Sequence, residues 1–85
     1  MMTLQNIIKD KNTHIIDVRE IYEYEAGHLE GAIHIPLSEL GHKVNDFRKM
    51  KGQKVLYCRS GNRSGQAVAF LKQQGLSLIH ISEPT

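Results

Sequence analysis

The chain has 85 residues, 40% hydrophobic and 24% charged, with a formal net charge of +2. That length allows one small domain and no second one, and such a domain buries only about 60% of its unfolded surface, so every core element matters. The composition argues against disorder, the apolar runs are too short to span a bilayer, and the mild charge does not imply a nucleic-acid partner. The start, MMTLQNIIKDKN, lacks the basic residues and long apolar stretch of a secretory signal. A single cysteine, Cys58, excludes an internal disulfide and a multi-cysteine zinc site. The compartment expected on these grounds is the reducing cytoplasm.

The predicted elements alternate. Thr3 caps a short helix over 3–9 with Leu4, Ile7 and Ile8 inward, and the turn 9–12 (KDKN) follows. Residues 14–18 (HIIDV) form a short β-branched run suited to a buried parallel strand. A short helix over 19–26 stops at Gly27, and 32–35 (AIHI) is a second strand ended by Pro36. Leu37, Leu40, Val44 and Phe47 recur as one face of an amphipathic helix broken at Gly52. Residues 54–58 (KVLYC) make the third strand, and a helix over 64–74 carries Ala67, Val68, Phe70 and Leu71 inward before Gly75 stops it. Strands alternating with helices predict an α/β domain with a mainly parallel sheet. In such sheets, sites lie beyond the strands' carboxyl ends, here after Asp17 and after Cys58.

The second of those ends carries the chemistry. The loop Cys58-Arg59-Ser60-Gly61-Asn62-Arg63-Ser64 joins a buried strand to a helix. Gly61 and Asn62 permit unusual backbone angles, so the loop can turn N–H groups toward the sulfur. The helix start adds unpaired N–H groups and the positive end of its dipole, and Arg59 and Arg63 add two permanent charges. Together they lower the thiol pKa and cradle an anion. A lone cysteine is more often a small buried apolar residue; this strand–loop–helix setting reverses that balance.

Three stretches in register resemble the rhodaneses, a family of sulfurtransferases. They are 16–20 (IDVRE), 25–36 (EAGHLEGAIHIP), similar to the family's GHIxGAxxIP, and 58–64 (CRSGNRS), similar to its CxxGxRS active-site loop. The resemblance covers residues 3–75. It implies that Cys58 takes a sulfane sulfur from a donor such as thiosulfate or a persulfide. The resulting persulfide passes that sulfur to cyanide, a thiol or a partner protein's cysteine. It also implies that the backbone N–H groups of 59–64 stabilise the anionic persulfide, that Arg63 orients the loop, that Arg59 meets the donor's anionic end, and that no metal or organic cofactor is needed.

Other residues have plainer readings. Asp17 and Arg19 lie at a strand's carboxyl end; a structural ion pair or cap is favoured over support of the active loop. His28 is expected to cap the short helix or bond the neighbouring strand. Tyr22 and Tyr24 are expected to pack. The five histidines show no i,i+4 pair and no cysteine at ligand spacing, so no metal site is expected. The basic group Lys43, Arg48, Lys49, Lys51 and Lys54 reads as solvated surface. Two alternatives stand beside catalysis: a sulfur-carrier or partner-docking module with little turnover alone, and a cysteine-dependent phosphatase. The phosphatase loop is one residue longer between cysteine and arginine than the four residues between Cys58 and Arg63.

Residues 76–85 (LSLIHISEPT) break the resemblance. The family continues with another strand, a Gly-Gly turn and a closing helix, whereas this segment is similar to the translation of a common transposase sequencing adapter. The expectation is a rhodanese-like domain over 1–75, lacking the family's last strand and closing helix, followed by a non-native tail over 76–85. The strand-like alternation of Ser77 to Ile81 allows that tail to pair into the vacant slot.

Overall fold

The computed structural model describes residues 12–59 and 61–82. The helix expected over 3–9 lies outside the described residues. In chain order the elements are β1 (Thr13–Asp17), α1 (Ile21–Ala26), β2 (Ile33–His34), a 3₁₀ helix (Leu37–His42), α2 (Val44–Lys49), β3 (Gln53–Cys58), α3 (Asn62–Gln73) and β4 (Ile79–Ser82). The strands form one sheet in the order β2-β1-β3-β4, and every pairing is parallel. The fold is α/β, a parallel sheet flanked by helices, as the alternating pattern predicts.

The short apolar runs become the central strands because both their faces are covered. On one face Ile16, Val18, Leu56 and Cys58 pack against Ala67, Val68 and Leu71 of α3, Phe47 of α2, and Leu40. On the other, Ile15, Val55 and Tyr57 pack with Ala32. A fully buried side chain such as Phe47 contributes about 2–3 kcal/mol by leaving water. The register Asp17↔Tyr57 brings the carboxyl ends of β1 and β3 side by side, which gathers the residues after Asp17 and after Cys58 at one end of the sheet.

Several elements differ from the sequence reading, each for a local reason. The helix expected to run through Leu37, Leu40, Val44 and Phe47 is two pieces. The Lys43 N–H bonds the Leu40 carbonyl three residues back, and Lys43 leaves helical geometry at φ −114°. Leu40 and Phe47 still point inward, so the apolar spacing survives the change of axis. α1 starts at Ile21 rather than at residue 19, because Glu20 is extended (φ −68°, ψ 156°) and forms a capping box with Glu23. β2 contracts to two residues, since the Ala32 N–H turns back to the Leu29 carbonyl. α3 begins at Asn62 and ends at Gln73, and Phe70 is half-buried rather than fully inward. Gly75 has φ +84°, the left-handed stop expected there.

The slot beside β3 left vacant by the sequence reading is filled. β4 pairs Val55↔Ile79 through Cys58↔Ser82. The β3 backbone needs ladder partners on that side, and the uncharged run from Leu76 to Ser82 supplies them, with Leu78 buried in the core. Among the described residues no helix is long and apolar enough to cross a membrane.

Candidate active site

Cys58 is the last residue of β3, and its side chain is fully buried. Gly61 turns the chain with φ +83°, a conformation that side chains with a Cβ resist, and its N–H points at Cys58 Sγ from 3.0 Å. The Ser64 N–H, third in α3, donates to the same sulfur at 3.2 Å. Ser64 Oγ also lies 3.2 Å from Sγ. Gly61 supplies no side-chain cap to α3, so the sulfur takes that place and satisfies an amide the helix leaves free. Sγ thus sits at the positive end of the helix dipole, which favours the thiolate. Asn62 does not use the left-handed freedom expected of it; no residue other than glycine has positive φ among the described residues. Ser60, the remaining loop residue of the sequence reading, lies outside them.

The two loop arginines go different ways. Arg63 forms a fork with Glu23 of α1, Nη1 to Oε1 at 2.6 Å and Nη2 to Oε2 at 3.0 Å. This bond to the ionised carboxylate is the main reason the Glu23 pKa falls to about 2, and in return Arg63 is held more firmly protonated. Arg59 is exposed and has no ion-pair partner among the described residues. It lines an open cleft of about 320 Å³ together with Arg19, Glu23, Ala26 and Gly27.

Asp17 and Arg19 form a buried ion pair. Arg19 Nε lies 3.0 Å from both carboxylate oxygens, and Nη2 lies 2.8 Å from Oδ2. Hydrogen bonding to Asp17 raises the Arg19 pKa. Arg19 Nη2 also donates to the Gly27 carbonyl at 2.7 Å, which fixes one wall of the cleft. The guanidinium lies 5.4 Å from the Tyr57 ring centroid. The pair is therefore structural and also borders the site. His28 Nδ1 lies 2.9 Å from the Tyr24 carbonyl at the end of α1, the capping contact expected of it. Tyr24 packs between His28 and His34, with ring centroids at 3.7 and 4.6 Å. Tyr22 does not pack: it is 70% exposed, because α1 turns that side of its single short face to solvent.

Sequence reasoning missed Glu23. Its signal was an unassigned carboxylate three residues after Glu20 at the start of α1, where its Oε1 accepts the Glu20 N–H at 3.1 Å.

Residues 2–83 match the family description "Rhodanese-like domain". The chain belongs to this family. Among the relatives of this rhodanese-like domain is YrkF of Bacillus subtilis, named as a candidate sulfur carrier protein. It is 37% identical over 75 residues, which is 88% of this chain and 40% of YrkF. The thiosulfate sulfurtransferase PspE of Escherichia coli is 40% identical over 67 residues, 78% of this chain and 64% of PspE. The chain thus spans less than two thirds of either relative. A crystal structure of a rhodanese-related protein from Thermoplasma volcanium superposes with a TM-score of 0.75 at 38% identity, covering 85% of this chain and 71% of that one.

Proposed function

We propose that this rhodanese-like domain is a sulfurtransferase that works through a persulfide on Cys58. The observation that carries the reading is the sulfur itself, held by the Gly61 and Ser64 N–H groups beside a cleft that Arg59 lines without an ion-pair partner among the described residues. The Cys58 thiolate attacks the outer sulfur of thiosulfate; the new S–S bond forms as the donor's S–S bond breaks, and sulfite leaves with the bonding pair. The persulfide anion keeps the thiolate's charge, so the same N–H groups stabilise it. Cyanide then attacks the outer sulfur, leaves as thiocyanate and returns the thiolate; a thiol acceptor takes the sulfur in the same way. Arg59 meets the anionic donor, Arg63 holds the loop, and Asp17 with Arg19 braces the cleft wall. The residues need no metal or organic cofactor for this step. The reducing cytoplasm suits a thiolate of this kind.

Full burial of Cys58 favours a second reading, in which a docking partner must open the loop and the domain serves as a sulfur carrier with little turnover alone. The phosphatase alternative is disfavoured, because Arg63 is engaged by Glu23 rather than turned to an anion.

Incubation with thiosulfate followed by intact mass spectrometry tests the proposal. The chain should gain one sulfur atom, lose it to cyanide, and gain none as Cys58→Ser. Sulfur addition that persists in Cys58→Ser overturns the assignment. Loading without release to cyanide or small thiols selects the carrier.

A further inference from the structure

The Glu23 carboxylate joins three parts of the molecule. Oε1 accepts both the Glu20 N–H, which opens α1, and Nη1 of Arg63, while Oε2 accepts Nη2. Glu23 and Arg63 are 40 positions apart in sequence, and their side chains are 19% and 30% exposed. A single exposed surface pair would matter little. A two-pronged fork fixes orientation as well as distance. On one side of the fork is the helix that, with Gly27 after it, walls the cleft through Glu23 and Ala26; on the other is the second residue of α3, whose neighbour Ser64 donates to the sulfur. Arg63 also interacts with the charge on Cys58, though less strongly than with Glu23.

We propose that Glu23 is a positioning residue for sulfur transfer, clamping the cysteine loop to the cleft wall through Arg63 and partly neutralising that arginine's field at the sulfur. The inference rests on the sulfurtransferase reading above. Two consequences point in opposite directions. Without the carboxylate, Arg63 acts on the sulfur with its full charge, so the thiolate becomes easier to form. The loop and the cleft wall lose their common anchor, so the sulfur meets its donor less well aligned. The groups facing Glu23 are Arg63, Arg19 and the Glu20 backbone, and the carboxyl stays ionised down to about pH 2, so the clamp holds at any working pH.

Glu23→Gln separates these effects, because the amide oxygen can still accept the Glu20 N–H and keep α1. The pH midpoint for iodoacetamide alkylation of Cys58 should fall by about half a unit. Sulfur uptake from thiosulfate should slow about tenfold in kcat with little change in KM. Glu23→Asp restores the charge without the reach; it should return the alkylation midpoint and leave uptake slow. A lower melting temperature with both readouts unmoved, or both readouts moving the same way, overturns the proposal. If the parent chain takes up no sulfur from thiosulfate or cysteine persulfide, the sulfurtransferase reading fails and the positioning role fails with it. The alkylation midpoint alone then decides whether Glu23 shields the sulfur: a fall supports that part, and no change overturns it.

Discussion

The ends of β1 and β3 lie side by side at one end of the sheet, and each buries a group that can carry negative charge. Asp17 is met by a whole cation: Arg19, two residues on, takes both its oxygens. Cys58 is met by dipoles: the Gly61 and Ser64 N–H groups point at the sulfur, while Arg63 of the loop is engaged by Glu23. The difference decides what each group can do. A carboxylate paired with a guanidinium is locked in place and serves as a brace. A sulfur held by N–H groups is stabilised as an anion and still has its electron pairs to give. The same sheet thus carries a strut and, on the function proposed above, a nucleophile on neighbouring strands.

The comparison can be broken at the strut first. Asp17→Asn leaves Arg19 buried with no counter-charge, and such a change costs about 3–5 kcal/mol. In a domain this small that is a large share of the total stability, and urea unfolding should show it directly. A loss below 1 kcal/mol (about) would mean the pair contributes little, as exposed pairs do. Gly61→Ala attacks the dipoles instead. Its φ of +83° costs a side chain about 1–2 kcal/mol and turns the N–H from the sulfur. Sulfur uptake should fall by about a hundredfold, the effect of removing one anion-stabilising donor. Uptake that follows the stability loss alone would show that this N–H is dispensable.

Arg59→Gln sharpens the comparison by touching neither arrangement. The side chain is exposed and without an ion-pair partner among the described residues, so the melting temperature should stay put. KM for thiosulfate should rise about tenfold with the loss of a charge-assisted contact. The smallest effect concerns acid. Arg63 holds Glu23 from its ordinary 4.5 down to about 2. A depressed carboxyl stabilises the fold above its unfolded value, and that contribution is lost as pH falls through the folded one. Acid unfolding of Arg63→Ala should therefore diverge least from the parent near pH 2 and most above pH 4.5.

Much of this was legible along the chain. The short apolar runs around Ile15–Ile16 and Val55–Leu56, the first of them β-branched, announce buried parallel strands, and the order of Cys58, Gly61, Arg63 and Ser64 announces the loop. Less legible were features set by distant parts of the chain. The Glu23–Arg63 fork spans 40 positions, so no local spacing signals it. The break at Lys43 depends on how Leu40 and Phe47 both reach one core, which an apolar repeat of the right period does not reveal. Tyr22 and Tyr24 look alike in sequence, yet only Tyr24 has two imidazoles to lie between.

Ser64 has one hydroxyl proton and several places to send it. Oγ lies 3.2 Å from the sulfur, 3.3 Å from the Gly61 carbonyl, 3.3 Å from the Ile81 carbonyl of β4, and 3.5 Å from His80 Nδ1. One proton cannot serve them all, and a hydroxyl turns to whichever neighbour is most negative. While the cysteine is a thiol, its own proton points at Oγ, and the hydroxyl faces a carbonyl. The Ser64 hydroxyl thus stands where the sulfur, the Gly61 turn and β4 meet, a single proton at the junction of three elements.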